Sequence, residues 1–302
     1  MADSTGKGPS RIAADDLSIV IPFRYDRPER LENLGAVLRH LAATLEGAEI
    51  IVIEDGAQMH GAEVSENSGA QHIARINAGA FHRTALLNLG IEVLATRRFA
   101  ASYDTDALIY PAAWARALDR LRAGAPVVFP YGGRFCDLRG SLRAQIVANP
   151  DLALVPAKVA QAASHKAKGD LVCINPNSVG GVVLFDRANY IACGGYHEGF
   201  VAWGFEDAEI MARMTKLGHP FARVDGMPLI HLSHPRGRGW RGGAWYRAAR
   251  QNNALYRSMG RLSAGQIKAL IADGGLRATA PAQHDGLIAR LIAKLYRRKP
   301  SP

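Results

Sequence analysis

Two aspartates that stand one residue apart in this sequence could hold a metal ion. Asp104 and Asp106 lie in the stretch "SYDTDALIYP" at residues 102–111. Carboxylates at positions i and i+2 of an extended segment project from the same side, and such oxygen ligands hold hard divalent cations together with phosphate and water. The alternative is a solvated turn, because an Asp-x-Asp pattern alone is common.

Two histidines three residues apart could add nitrogen ligands to the same ion. His231 and His234 follow an apolar run in "PLIHLSHP", and imidazole together with carboxylate suits manganese or another first-row divalent ion. A structural pair, one histidine buried and one exposed, is the alternative. Arg236, Arg238 and Arg241 come next in a glycine-rich loop, which either closes over phosphates or is a solvated basic loop.

A group of acids stands at the predicted start of a helix. Glu206, Asp207 and Glu209 follow the residues "WGF" in "FVAWGFEDAEIMARM". A helix that begins near residue 205 places Asp207 on the face of Met214 and its apolar neighbours, so Asp207 is predicted to face inward and to have a chemical role. Glu209 is predicted to lie on the outer side and to pair with Arg213 at i+4, with no role beyond complementing the helix dipole.

Alternating strands and helices must position these groups. Buried strands are predicted for the apolar runs at 17–22, 48–55, 126–130 and 180–186. Helices are predicted from Pro28 onward and over 81–94, where apolar residues recur at helical spacing. Strands separated by helices indicate an α/β fold with a parallel sheet, in which ligands bind beyond the carboxyl ends of the strands.

Composition and charge limit the class of partner. The chain has 302 residues and a formal net charge of +10, which favours anionic partners such as a nucleotide or a phosphorylated substrate. No recognisable nucleic-acid-binding motif appears, so we predict no nucleic-acid partner. The first 16 residues lack the apolar core of a signal peptide, and we predict a cytoplasmic location.

We predict three regions along the chain. Residues 1–16 are predicted to be a disordered tail, residues 17–240 a catalytic domain, and residues 241–302 a helical extension. The extension ends in "LIARLIAKLYRRK" at 287–299, which fits a peripheral helix at the inner face of an anionic membrane. A helix packed on the catalytic domain is the alternative for this segment.

Six motifs occur in the order seen in inverting GT-A glycosyltransferases, and the chain resembles that family over residues 17–240. They are "IPFR" (21–24), "FHRTALLNLG" (81–90), "YDTD" (103–106), "GGVVLF" (180–185), "GGYHEGFVAWGFEDAEI" (194–210) and "HLSH" (231–234). The motifs are most like those of the β-1,4-galactosyltransferase group and its bacterial family 2 relatives. The resemblance implies a GT-A, Rossmann-like, mixed and mainly parallel sheet flanked by helices.

The resemblance also implies roles for individual residues. Asp106, His231 and His234 would bind Mn²⁺ or Mg²⁺, Asp207 would be the general base, and Glu206 would engage donor and acceptor. The implied nucleotide-sugar site consists of Pro22, Phe23, Arg24, Asp55, Arg83, Asp104, Gly180, Gly181 and Trp203. Within this site, Asp55 would lie near the nucleobase and Asp104 near the ribose or the metal. The two glycines would let the donor sugar approach the backbone.

The implied reaction is metal-dependent transfer of a hexose or 2-acetamido-hexose from a UDP-sugar to a hydroxyl of a glycan or lipid-linked acceptor, as in surface polysaccharide synthesis. The resemblance places Ser178 where the galactosyltransferases carry a bulky residue, so a gap for an acetamido group is expected there. His231 departs from the family, which often has methionine at this position. Residues 131–170 have no counterpart and are expected to cover the acceptor side.

Two other functions remain as alternatives. A sugar nucleotidyltransferase would also use an α/β sheet, acids and Mg²⁺, but it should carry a glycine-rich loop after its first strand, and "PFRYDRPER" has no glycine. A non-catalytic protein that binds nucleotide sugars or glycans would not need the acids and the histidines together.

Overall fold

A seven-stranded sheet flanked by helices forms the centre of the molecule, which a computed structural model describes for residues 11–155, 169–202, 204–235 and 244–277. The strands are β1 (Ile12–Ala13), β2 (Leu17–Phe23), β3 (Leu45–Glu46), β4 (Glu49–Gly56), β5 (Gln71–Ile76), β6 (Phe99–Tyr103), β7 (Ala107–Leu108), β8 (Val127–Phe129), β9 (Phe135–Leu138), β10 (Leu171–Asn175), β11 (Val182–Asp186), β12 (Phe221–Arg223) and β13 (Leu229–Leu232). The order in the central sheet is β12-β8-β11-β6-β2-β4-β5.

The helices follow the strands in the alternation that the sequence predicts. They are α1 (Pro28–Thr44), α2 (Ala62–Glu66), α3 (Arg83–Asn88), α4 (Pro111–Arg122), α5 (Gly140–Ala148), α6 (Arg187–Ala192), α7 (Glu206–Lys216), α8 (Ala244–Arg261) and α9 (Ala264–Ala272). A π-helical segment, Leu89–Leu94, continues α3, and a 3₁₀ turn covers Leu152–Leu154.

Buried apolar strands form the middle of the central sheet. β2 is buried at every residue and pairs in parallel with β4 and β6, as expected for a strand covered on both faces. β4 pairs in parallel with β5, whereas β11 runs antiparallel to both β6 and β8. The predicted mixed, mainly parallel α/β fold is confirmed.

A close approach of helix and sheet fixes the position of α3. A Cβ atom on Gly90, in the π-helical segment, would come 2.2 Å from Cγ1 of Val20 in β2. Only glycine therefore allows this segment to lie so near the sheet. The contact matters for the site because α3 begins at Arg83.

A second sheet, of order β10-β9-β13-β7, supports the histidine motif. β13 pairs in parallel with β9, and this register sets His231 opposite Asp137. It also pairs with β7, where His231 lies opposite Ala107, the neighbour of Asp106. Residues 131–170, which we expected to cover the acceptor side, therefore contribute β9 to the support of the histidines, while their relation to an acceptor remains a prediction.

The predicted tail extends too far into the chain. β1 pairs in parallel with β3 and Ala14 is fully buried, while Arg122 donates to the carboxylate of Asp16. Residues 11–16 are therefore part of the folded structure, because their backbone and side chains have partners there.

The end of the chain is helical where it is described. The helices α8 and α9 fall in the predicted extension, but the boundary at residue 240 stays a prediction, as do the proposed properties of residues 287–299, which lie outside the described residues. Within the described ranges, no helix has the length and apolar character needed to cross a membrane.

Glu209 and Arg213 form a buried ion pair inside α7, whereas the sequence led us to expect Glu209 on the outer side. Each residue is 2% exposed, and the Nε–Oε1 and Nη2–Oε2 distances are 2.7 and 2.9 Å. The predicted pairing is present, but the predicted exposure is wrong. Arg213 also donates to the carbonyls of Cys193 and Gly195, so the pair holds the preceding loop against α7.

Replacing Glu209 by alanine should lower the free energy of unfolding by about 3–5 kcal/mol, because it leaves a buried guanidinium without its counter-charge. Chemical denaturation measures the change. Glu46 is the matched control, since it pairs with Arg11 on the exposed surface, and Glu46→Ala should cost less than about 1 kcal/mol. Equal losses would show that the buried pair contributes no more than the exposed one.

Candidate functional site

Asp106, His231 and His234 form a cluster that can hold a metal ion. Their ligand atoms lie within 4.8 Å of one another. The Nε2 atoms of His231 and His234 are 3.6 and 3.3 Å from Oδ2 of Asp106. One carboxylate and two imidazoles are a donor set that suits Mn²⁺ and other first-row divalent ions. The three residues that the resemblance implied as ligands therefore lie together.

Asp104 does not share this cluster, although it stands two residues before Asp106. β6 ends at Tyr103, and residues 105 and 106 form a turn rather than the extended segment that we expected. The Asp104 carboxylate accepts hydrogen bonds from Arg83, whereas Asp106 lies beside the histidines. The turn therefore directs the two carboxylates to different partners.

Asp137, which the sequence did not single out, holds His231 in place. Its Oδ1 accepts a hydrogen bond from Nδ1 of His231 at 2.7 Å, and its Oδ2 accepts one from Nε of Arg139 at 2.6 Å. This leaves Nε2 of His231 for the cluster, which is the usual arrangement of metal-binding histidines. Burial lowers the pKa of His231, but the carboxylates of Asp106 and Asp137 outweigh burial and raise that pKa to about 9. The cluster therefore attracts positive charge.

Arg30, in the first turn of α1, supplies such a charge. The sequence did not predict a role for it. Its Nη1 donates to Oδ2 of Asp106 at 2.8 Å and lies 3.3 Å from Nε2 of His234. Both contacts involve ligand atoms of the candidate metal centre. Arg30 therefore places a positive charge beside the residues that would hold an ion.

Arg83 contacts three carboxylates at once. Nη2 donates to Asp104 at 2.8 Å, and Nη1 donates to Asp207 at 3.2 Å and lies 3.7 Å from Glu206. The Arg83 side chain is 9% exposed, so these interactions are only weakly screened by solvent. Arg83 thereby links the turn that carries Asp106 to the start of α7.

Asp207 lies at the start of α7, with its carboxylate beside Gly180. The hydroxyl of Tyr196 donates to its Oδ1 at 2.9 Å. A Cβ atom on Gly180 would come 2.6 Å from its Oδ2, so any other residue there would require this carboxylate to move. Gly181 has a different role, since its φ is +87° and a Cβ atom on it would meet Leu229 at 2.6 Å.

Glu206 is more deeply buried than Asp207. Its Oε2 accepts a hydrogen bond from the backbone N–H of Gly204 at 2.7 Å. Burial and the neighbouring Asp207 charge raise the pKa of Glu206 to about 7, against the opposing effect of Arg83. Phe205, just before it, has a φ of +72°, a conformation that costs a bulky residue free energy and that the surrounding contacts must hold.

Arg24 and Asp55 form a pair at the ends of β2 and β4. Nη2 of Arg24 donates to Oδ2 of Asp55 at 2.9 Å, and the side-chain amide of Asn77 donates to the same oxygen. Asp55 is fully buried, and its Oδ1 has no hydrogen-bond partner among the described residues. Nε of Arg75 lies 3.8 Å from Oδ1 and balances its charge without donating a hydrogen bond, so Oδ1 is suited to receive a hydrogen bond from a ligand.

Pro22 and Phe23 lie in the core at the end of β2, and their place in the nucleotide site remains a prediction. Both residues are buried, and the Phe23 ring packs against Gly61.

Ser178 is also buried, beside Tyr131, whose hydroxyl donates to the carbonyl of Gly180 at 2.5 Å. An aromatic ring thus stands near residue 178, and the gap expected there for an acetamido group remains a prediction.

Some predicted site residues cannot be placed. Trp203 and the arginines of the glycine-rich loop (Arg236, Arg238 and Arg241) lie outside the described residues. The roles that we gave to them remain predictions.

Part of the site lies in a stretch of the chain that matches a galactosyltransferase family model. A sequence model of the family described as the N-terminal domain of galactosyltransferase matches residues 170–235. This stretch includes Gly180, Asp207 and both histidines, and the match confirms the resemblance seen in the motifs. Among curated proteins, none matches the chain in sequence.

Solved structures share the fold at low sequence identity. A mycobacterial protein is similar with a TM-score of 0.50 and 17% identity over 80% of this chain and 74% of that one. Glucosyl-3-phosphoglycerate synthase from Mycobacterium tuberculosis, in complex with Mn²⁺, UDP and phosphoglyceric acid, has a TM-score of 0.49 and 16% identity over 82% and 78%. The catalytic domain of Drosophila β1,4-galactosyltransferase 7, in complex with xylobiose, has 0.47 and 15% over 82% and 81%. At such identities the similarity concerns the fold alone.

Replacing Asp137 by asparagine should weaken Mn²⁺ binding by about 10–100-fold, because a neutral amide orients and polarises His231 less than a carboxylate does. Electron paramagnetic resonance of free Mn²⁺ measures this affinity without any donor. Asp106→Ala should abolish binding, whereas Asp119→Asn, at an exposed acid of α4, should leave it unchanged. Wild-type affinity in the Asp137 variant would contradict the role.

Proposed function

We propose that the protein is a metal-dependent glycosyltransferase that moves a sugar from a nucleotide-sugar donor to a hydroxyl group with inversion at the anomeric carbon. The observation that carries the proposal is the chain of contacts from the Asp106 cluster, through the 104–106 turn and Arg83, to Asp207. It brings a cation site and a proton acceptor into one site, and this reaction needs both.

The metal-ligand cluster would act on the leaving group. Asp106, His231 and His234 would hold Mn²⁺ or Mg²⁺, which supplies stabilisation of the charge that develops on a departing nucleoside diphosphate. Arg30, displaced from Asp106, would pair with the same diphosphate through its planar guanidinium. The guanidinium lies 2.8 Å from the Asp106 carboxylate, which places its charge beside the proposed metal ligands.

Asp207 is the proposed general base. Both side-chain hydrogen bonds described for it go to Oδ1, from Arg83 and Tyr196, which leaves Oδ2 available. Its side chain is 17% exposed, against 6% for Glu206, so it is the more accessible carboxylate. It would take the proton of the acceptor hydroxyl during attack on the anomeric carbon, and direct displacement inverts that carbon.

The donor and acceptor are proposed by class. The buried Oδ1 of Asp55 could accept a hydrogen bond from a nucleotide base, and we propose UDP with a hexose or 2-acetamido-hexose. The family match makes UDP-galactose the first donor to test. A glycan or lipid-linked saccharide of a surface polysaccharide is the proposed acceptor, in a cytoplasmic enzyme.

A panel of nucleotide sugars tests this proposal directly. With Mn²⁺ present, we expect slow hydrolysis of at least one of UDP-Gal, UDP-Glc, UDP-GalNAc and UDP-GlcNAc, measured as released UDP and abolished by EDTA or Asp106→Ala. GDP-mannose, which carries a different nucleobase, is the control for the preference for uridine. Release of pyrophosphate from UTP and a sugar phosphate would favour the nucleotidyltransferase, and binding without turnover would favour a non-catalytic protein.

Replacing Asp207 by asparagine should lower turnover by about 10²–10⁴-fold, the usual worth of general base catalysis. The side chain keeps its size but cannot accept the proton, so donor affinity should change little. Initial rates of UDP release and calorimetric titration with UDP separate the two effects. Activity within a few-fold of wild type would show that Asp207 only complements the helix dipole.

Glu206→Gln is the matched control for this variant. It should lower turnover less than Asp207→Asn does, and the opposite ranking would make Glu206 the base. Because the folded chain raises the pKa of Glu206 to about 7, the folded state holds this proton more tightly than the unfolded chain, with a carboxyl pKa of about 4.3. The wild type should therefore lose stability relative to Glu206→Gln as the pH rises from about 4 to 7.

A further inference from the structure

A row of arginines lies along the outer face of α8. Arg247, Arg250, Arg257 and Arg261 are spaced so that they share one face of this helix, and all four are exposed. The helix contains no aspartate, glutamate or lysine. In the described part of the chain, none of the four guanidinium groups has an ion-pair or hydrogen-bond partner.

A shallow groove follows this row. It has a volume of about 390 Å³ and is lined by Arg250, Asn253, Ala254, Arg257, Ser258 and Arg261. The lining offers three guanidinium groups with an amide and a hydroxyl between them, and no large apolar side chain. Guanidinium groups pair with carboxylate or phosphate through two parallel hydrogen bonds, while the amide and hydroxyl can bind neutral hydroxyl groups.

The opposite face of α8 contacts the loop that precedes the proposed base. The side-chain amide of Asn252 donates to the carbonyl of Val201 at 3.0 Å, and the rings of Tyr256 and Phe205 stack with their centroids 5.6 Å apart. Phe205 directly precedes Glu206 and Asp207. The groove and the contacts to this loop thus lie on opposite faces of the same helix, whose diameter is on the order of 10 Å.

We propose that this groove binds an acidic stretch of the glycan acceptor, a saccharide chain whose sugars carry carboxylates. The inference rests on the proposed function and names the substrate class of that site. Charge complementarity requires an anion, and the Asn253 and Ser258 side chains between the arginines suit sugar hydroxyls. An anionic membrane fits less well, because surface-binding helices carry apolar residues that enter the lipid, and the residues that line the groove include no apolar side chain larger than Ala254.

The test measures glycan binding by the full chain, without donor. Wild-type protein should bind oligogalacturonate in a salt-dependent manner and should not bind neutral dextran. Arg250→Gln/Arg257→Gln should weaken binding by about tenfold, the sum of two exposed charge interactions. The matched control is Arg116→Gln/Arg120→Gln, which removes the same charge from two exposed arginines of α4 and should change the affinity by less than about twofold.

Several outcomes would overturn the inference. They are equal losses in the two double variants, equal affinity for oligogalacturonate and dextran, and tighter binding to polyphosphate or to phosphatidylglycerol vesicles than to the acidic glycan. Hydrolysis of the donor distinguishes this failure from failure of the proposed function. Arg250→Gln/Arg257→Gln should release UDP at the wild-type rate, so unchanged hydrolysis with unchanged glycan affinity refutes the groove alone. Absence of hydrolysis in the wild type refutes the enzyme.

Discussion

The candidate site depends on one buried guanidinium. Arg83 lies between Asp104, Glu206 and Asp207, and three carboxylates this close would repel one another strongly without it. The position of Arg83 follows from the close packing of Gly90 on the sheet, which fixes α3. Because Arg83 is the shared partner of residues from two distant parts of the chain, it sets the distance between the metal-ligand turn and the proposed base.

The metal-ligand cluster has its own support, separate from Arg83. Parallel pairing of β13 with β9 sets His231 beside Asp137, and a histidine oriented by a carboxylate presents its other nitrogen in a fixed direction. Arg30 occupies the charge-attracting side of the cluster. The second sheet therefore positions His231 and Asp137, and the turn at residues 105 and 106 joins β6 of the central sheet to β7 of the second.

The sequence predicted what depends on local periodicity and on recognisable motifs. The strands around residues 17–22 and 48–55, the start of α7, the mixed sheet and the meeting of Asp106 with both histidines all follow from such patterns. Asp137 could not be found, because its importance arises from a strand register across about a hundred residues. Glu209 was misplaced because helical spacing gives the i+4 pairing but does not tell whether a loop, here Cys193–Gly195, covers that face.

The burial and the partners of the arginines explain why a basic protein has acids at its candidate site. Arg213 is buried with Glu209 and two carbonyls, and it serves the fold. Arg83 is buried among three carboxylates and serves the geometry of the site. The exposed arginines of α8 have no partner among the described residues, so their charge is available to a ligand. A net charge of +10 is therefore a poor guide by itself, since a guanidinium already neutralised in the interior attracts no substrate. Exposed arginines without a counter-charge are the ones that can steer an anionic substrate toward the candidate site.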